Sequence, residues 1–228
     1  MHAFRRGGSR LHATSIRAET LTMTPTSLLS PKREAQLVQQ VQRGDRGALG
    51  ELLGAYQKRV YHVCLRMVCH ADDASDLTQD VLLRAVQHIQ KFRGDSQFGT
   101  WLFRIAMNQS ISHLRKRRVR DAVSLEAPTG PAMDDQAAPL KAMIDQQREL
   151  GLDQSVETME QITQLTDAID RLDVGLRTMI ILRDLQELEY QDIADVLGIP
   201  LGTVKSRLFR ARLALRNVLD VKTDKPDQ

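Results

Sequence analysis

The chain has 228 residues, with 32 Lys and Arg against 29 Asp and Glu, a formal charge of +3. Hydrophobic residues at 42% suffice for a core and charged residues at 27% suit a soluble globular protein; no window approaches the roughly 18 consecutive apolar residues of a bilayer span, which argues against membrane insertion. Aromatics at 4% leave a core of Leu, Ala, Val and Ile with few β-branched runs, a composition that favours helices.

In chain order, the basic, Ser/Thr-rich stretch Met1–Arg33 lacks the apolar run of a secretory signal and reads as a disordered extension, with Met23 an alternative start. Arg33–Gln42 has helical spacing, ended by Gly44 and Gly47, with Asp45 available as a cap. Leu49, Leu52, Leu53, Tyr56, Val60, Val63 and Met67 then recur every three or four residues, the pattern of a long amphipathic helix. After a break at His70–Asp73, helix is expected from Ala74 through Gln90. Lys91–Gly99 reads as a polar loop. Thr100 is a candidate cap for a helix from Trp101 to about Arg118. Val119–Thr158, with three prolines and two glycines, reads as a tether with one short helical stretch near Ala142–Leu150. Helical pattern returns at Ile162 and runs, interrupted at Gly175, to Leu185. Tyr190–Leu219 divides into a short helix, a turn at Leu197–Pro200 and a longer helix. The expectation is an all-α chain of two small helical domains.

Cys64 and Cys69 cannot build a disulfide framework and suit reduced thiols in a cytoplasmic protein. The charge is segregated. Val196–Leu219 holds no acid but contains Lys205, Arg207, Arg210, Arg212 and Arg216, and Arg115, Lys116, Arg117, Arg118 and Arg120 lie in a second basic block. An acid-rich stretch separates them, so two distinct contacts with a polyanion are expected.

The C-terminal segment reads as a helix–turn–helix. Ala194 is small where two helices cross, Gly198 suits a turn that needs positive φ, and Ile199 plugs the angle. At 100° per residue Val204, Leu208, Ala211 and Leu215 form one core-facing stripe. Ser206, Phe209, Arg210 and Leu213, flanked by Thr203, Lys205 and Arg212, face the other way. Guanidinium donors, a hydroxyl and an apolar group that can meet a thymine methyl suit a major-groove reader, and Arg216 suits phosphates. A solvated basic face on a plain helical hairpin is the bland alternative. On the helix from Trp101, the stripe Trp101, Arg104, Asn108, Ser112 and Arg115 has the make-up of a single-strand stacking platform, although a lone Trp is more often simply core.

The run Asp76–Leu77–Thr78–Gln79–Asp80–Val81–Leu82–Leu83–Arg84–Ala85, followed by KFRGDSQFGTWLFRIAMN, closely resembles region 2 of the sigma-70 family in its extracytoplasmic-function branch. RLDVGLRTMIILRDLQELEYQDIADVLGIPLGTVKSRLFRARLALRN resembles that branch's region 4. The resemblance covers Glu34–Arg120 and Ile162–Leu219. It implies an extension over residues 1–31, region 2 over 32–120, a linker over 121–160, region 4 over 161–221 and a tail over 222–228. It further implies that Asp76, Leu77, Gln79, Asp80 and Arg84 serve docking on the β′ clamp of core RNA polymerase, with the β flap as the second polymerase contact. Arg93, Asp95, Ser96, Trp101, Arg104, Asn108 and Arg115 are implied in reading and melting the downstream (−10) promoter element, with the loop Phe92–Gly99 holding a flipped-out base. Thr203, Lys205, Ser206, Phe209, Arg210 and Arg212 are implied in reading the upstream (−35) element.

No cofactor or enzymatic activity is implied; an anti-sigma partner is. Three departures from the family pattern stand out: Ser112–His113 in place of a frequent Asp, Gly99 where a larger aromatic residue is common, and Asp173 for a frequent Pro.

His62, Cys64, Cys69 and His70 do not converge as metal ligands on one continuous helix, and Asp72, Asp73, Asp76 and Asp80 read as an acidic docking face rather than a catalytic one. The competing function is a helix–turn–helix regulator that binds duplex DNA without polymerase.

Overall fold

The computed structural model describes residues 29–124 and 164–223. The extension up to residue 28, with Met23, most of the tether including Ala142–Leu150, and the last five residues lie outside the described residues.

Every regular element among the described residues is helical. Helix α1 is Pro31–Gln42, with Pro31 in its first turn and Ser30 Oγ accepting from Arg33 N at 3.3 Å. Helix α2, Arg46–Val68, starts at Asp45, whose Oδ1 accepts from the N–H groups of Gly47 and Ala48 at 2.8 and 3.0 Å. It ends at Cys69 in the left-handed region, φ 56°, where the amide closes on Leu65 O.

Helix α3, Ala71–His88, begins three residues before the expected Ala74. His70 is extended and its Nδ1 accepts from Asp73 N at 3.4 Å, while Asp72 and Asp73 place negative charge in the first turn. A 3-10 turn, Ile89–Lys91, leads to the loop. Helix α4, Phe98–Ser124, also begins earlier and ends later than expected. Thr100 does not cap it: that side chain is buried inside the helix and donates to Asp192.

Residues 164–170 form α5. Asp173 caps α6, Val174–Ile180, by accepting from Gly175 N at 2.8 Å, so an Asp in this place supplies a proper helix start. A π-helical turn, Ile181–Leu185, follows, closed by Gln186 N on Ile181 O. Helix α7 is Tyr190–Leu197 and α8 is Leu201–Thr223. Gly198 between them takes φ 63°, as the turn requires.

Helices α1–α4 enclose Leu37, Leu52, Val60, Leu77, Val81, Leu102, Phe103 and Met107; α5–α8 enclose Ile169, Met179, Ile181, Ile193, Val204, Leu208 and Ala211. The two sets share one continuous apolar core. Helix α4 lies on α7. Between the two sets, Thr100 Oγ1 of α4 donates to Asp192 Oδ1 of α7 at 3.2 Å, and from α2 Arg59 donates to the side chain and backbone carbonyl of Gln186 at 3.0 and 3.2 Å and Arg66 donates to Thr166 at 2.8 Å. Arg177, 8% exposed, donates to Met67 O at 2.9 Å and to Cys69 Sγ at 3.1 Å. Apolar burial supplies the non-directional attraction, and these directed contacts fix how the two sets register.

Candidate nucleic-acid and polymerase interface

Helix α3 turns a mixed face to solvent. Asp76, Gln79, Asp80 and Arg84 are exposed. Leu77, at 5% exposure, faces the core and can support that face only from behind. Its place on the open face is taken by Leu83 and Val86, 57% and 38% exposed. Acidic and apolar groups side by side suit a partner helix of basic and apolar character. The Gln109 amide of α4 lies beside the Arg84 guanidinium, and turned so that its oxygen faces it, that oxygen would accept from Arg84 Nε at 2.8 Å and Nη1 at 3.2 Å.

The loop after α3 opens and closes on aromatic rings. Phe92 and Phe98 stand edge to face at 5.9 Å, and Trp101 tilts against both at 5.3 and 5.4 Å. Tyr56 of α2 completes the group, 5.5 Å from Phe98. Trp101 is therefore neither plain core nor free surface; it is half-buried on one side and open on the other. Arg93 and Asp95 are exposed, Ser96 is half-buried with its hydroxyl on Gln97 O, and Gly94 takes φ 77°. Farther along α4, Arg104 is half-buried while Asn108 and Arg115 are exposed. The predicted stripe thus lies on one side of a helix whose first turn carries the aromatic group.

Gly99 has a local cause. A Cβ there would stand 2.9 Å from Tyr56 Cε1 and 3.0 Å from its hydroxyl, so Tyr56 occupies the room a larger residue would need. Burial lifts the Tyr56 phenol above its ordinary range, with hydrogen bonding to Glu34 adding to the effect, and keeps it protonated.

On α8 the core stripe is as expected: Val204, Leu208 and Ala211 are buried, and Leu215 packs partly against them. Lys205, Ser206 and Arg210 are exposed, Thr203 is half-buried, and Phe209 is 70% exposed beside Leu213 at 49%. An exposed groove of about 590 Å³ runs between Tyr190, Lys205, Leu208, Phe209, Arg212, Leu213 and Arg216. Arg212, its side chain 52% exposed, also has a partner within the fold. Its Nε donates to Asp184 Oδ2 at 3.3 Å and its Nη2 to Oδ1, a fork that raises its pKa and ties α8 to the π-helical turn. Arg183 braces the same corner by stacking over Tyr190 at 5.0 Å and donating to Leu188 O.

Sequence reasoning missed Arg59, Arg66, Arg177 and Asp184, which orient these elements without facing solvent as readers do. Arg59 stacks on Phe103 at 4.9 Å while holding Gln186, and burial lowers its pKa. Nothing local in the sequence marked it.

Comparison with known proteins decides the identity. The description "Sigma-70 region 2" matches residues 52–120 and "Sigma-70, region 4" matches residues 162–215. The RNA polymerase sigma-H factor of Pseudomonas aeruginosa is 36% identical over 199 residues, covering 84% of this chain and 96% of that protein. The ECF RNA polymerase sigma factor SigW of Bacillus subtilis is 32% identical over 184 residues, covering 80% and 94%. The chain belongs to the sigma-70 family, in its extracytoplasmic-function branch. Among solved structures, the sigma factor RpoE of Bartonella quintana, in complex with the anti-sigma factor NepR, is similar with a TM-score of 0.57 at 25% identity, covering 77% of this chain and 97% of that one.

The factor is therefore a non-enzymatic transcription initiation protein, working with RNA polymerase and promoter DNA in the cytoplasm. Among the described residues no helix is long and apolar enough to cross a membrane.

Proposed function

We propose that α3, the loop with α4, and α8 divide the work of initiation among them. The exposed face of α3, with Asp76, Gln79, Asp80, Arg84, Leu83 and Val86, docks on the polymerase β′ clamp, and the α5–α8 set engages the β flap. Arg93, Asp95 and Ser96 receive a flipped base, and Trp101, Asn108 and Arg115 hold the separated non-template strand of the downstream element, with Arg104 alongside. Lys205, Ser206, Phe209 and Arg210 read the upstream duplex from α8, with Thr203 at its start and Arg212 holding its pitch. Residues 32–120 and 161–221 form the two working modules, joined through 121–160, and the loaded factor travels with the nucleoid.

The observation that carries this reading is the aromatic group at the start of α4. Strand opening needs a surface that repays the few kcal/mol of unstacking, and base–aromatic stacking returns about 1–3 kcal/mol per base. Trp101, braced from behind by Phe92 and Phe98, offers such a surface beside Asn108 and a basic stripe. A duplex-only regulator has no use for it. An anti-sigma protein is the expected regulatory partner, as in the Bartonella quintana complex.

The test is reconstitution with core polymerase. Trp101→Ala is expected to lower open-complex formation, read by permanganate reactivity of unpaired thymines, far more than closed-complex binding. Equal loss of both would overturn the melting role, and tight promoter binding by the factor alone would favour the regulator instead.

A further inference from the structure

The loop Phe92–Phe98 makes few polar contacts of its own, yet both of its feet are held from outside, and by the same helix. At the entry foot, the Gln42 side-chain amide, at the end of α1, donates to Ile89 O at 3.0 Å and to Phe92 O at 2.8 Å. At the exit foot, Glu34, in the first turn of α1, accepts from Phe98 N at 2.9 Å and, with its other oxygen, from the Tyr56 hydroxyl. Glu34 is 7% exposed. Phe98 N is one of the donors that a helix start leaves unpaired, so a carboxylate from α1 caps α4 from a distance of 64 residues in sequence. Among the described residues, the one side-chain hydrogen bond between the two feet is that of Ser96 to the neighbouring Gln97 carbonyl. The span of the loop is thus set by α1 rather than by the loop.

We propose that Glu34 and Gln42 are positioning residues for base capture, making α1 a splint that fixes the aperture between Phe92 and Phe98 and thereby the base preference at the captured position of the downstream element. This rests on the reading that the loop and α4 receive the non-template strand. Neither residue touches DNA. Their effect passes through the two anchored peptide groups and the aromatic rings those peptides carry, because a receiving site discriminates only when its groups are held in place.

The two anchors use opposite chemistry, which gives a test that bulk cannot mimic. Glu34 accepts; Glu34→Gln keeps an oxygen for Phe98 N–H and turns its amide toward the Tyr56 oxygen. Gln42 donates; Gln42→Glu has the same size but offers no donor and faces two carbonyl oxygens with a carboxylate. Full-length protein is assembled with core polymerase, and open complexes are measured on four promoters that differ only in the captured base.

Gln42→Glu and Glu34→Ala are expected to reduce the preference for the best base about fivefold, the factor expected from losing roughly 1 kcal/mol of net hydrogen bonding. Core-polymerase affinity is expected to stay unchanged, and Glu34→Gln to recover most of the preference. An unchanged preference in Gln42→Glu, or an equal fall on all four promoters, would overturn the splint. If Glu34→Ala does not fold, the Gln42→Glu and Glu34→Gln pair decides. Asp95→Ala separates the two layers of argument. If it flattens the preference while Gln42→Glu does not, only the splint falls; if it too leaves the preference intact, the capture reading falls and the splint with it.

Discussion

Replacing Arg177 by Met keeps the aliphatic stem and removes the guanidinium, which caps two helix ends at once. Its Nη1 meets Met67 O in the last turn of α2 at 2.9 Å, and its Nη2 meets Asp170 O and Leu172 O, at 3.3 Å for the latter, where α5 ends. A cation at two helix C-termini is favoured by both macrodipoles. Hydrogen bonds to a charged group contribute about 1.5–3 kcal/mol each, but three such values cannot be summed, because the guanidinium recovers its hydration when unfolded. Removing the donor leaves buried carbonyl oxygens of two helix ends without a partner, at about 1–3 kcal/mol for each one that water cannot reach, so a loss of about 3–5 kcal/mol is expected when two of them stay dry. With a urea dependence of about 2 kcal/mol per molar, the unfolding midpoint is expected to fall by roughly 1.5–2.5 M. Arg177→Lys, which keeps the charge but not the fork, is expected to fall between the two. A shift below about 0.5 M in Arg177→Met would show that water replaces the guanidinium at no cost and would refute the double-cap argument.

Other outcomes follow from single side chains. Arg210→Ala, at an exposed position on α8, is expected to lose about 1–3 kcal/mol of discrimination at one base pair of the upstream element, read as binding of holoenzyme to promoter variants; unchanged preference would place base reading elsewhere. Gly99→Ala pushes a methyl group against the Tyr56 ring, and overpacking of about 1–3 kcal/mol outweighs the gain of less than 1 kcal/mol in helix propensity, so the melting temperature is expected to fall; a rise would refute the clash. Burial, with Arg66 and Lys58 nearby, lowers the His62 pKa to about 4, against an unfolded value near 6.5. The folded chain binds fewer protons, so stability from this site is full above about pH 6.5 and is lost as pH falls toward 4, by roughly 3 kcal/mol in all. His62→Leu is expected to flatten that slope in urea titrations across the same window, and an unchanged slope would exclude His62 as its source.

Local periodicity carried much of the fold. The stripe Val204, Leu208, Ala211 and Leu215, the positive φ of Gly198 and the cap at Asp45 are consequences of near neighbours, and near neighbours are what spacing records. The starts of α3 and α4 escape the sequence for two reasons. The α3 cap is local, but His70 is not a usual cap residue, whereas the group that meets the first N–H of α4 is no neighbour at all but Glu34, which leaves Thr100 as the nearest candidate by spacing. Arg212 shows the same limit at the site: its basic character is plain in the sequence, but its bond to Asp184, 28 residues earlier, is not. The resemblance to sigma-70 regions 2 and 4 supplied function where composition alone stopped at a helical, partly basic chain.

Trp101 is the chain's single tryptophan, and it stands in the ring group at the loop's exit. Ultraviolet excitation of the unlabelled protein therefore reports on that one spot. A nucleobase sliding onto the open side of the indole would quench its emission, so the moment of strand capture is optically visible in the native holoenzyme once the emission of the polymerase's own tryptophans has been subtracted, without a dye to disturb the surface it would be measuring.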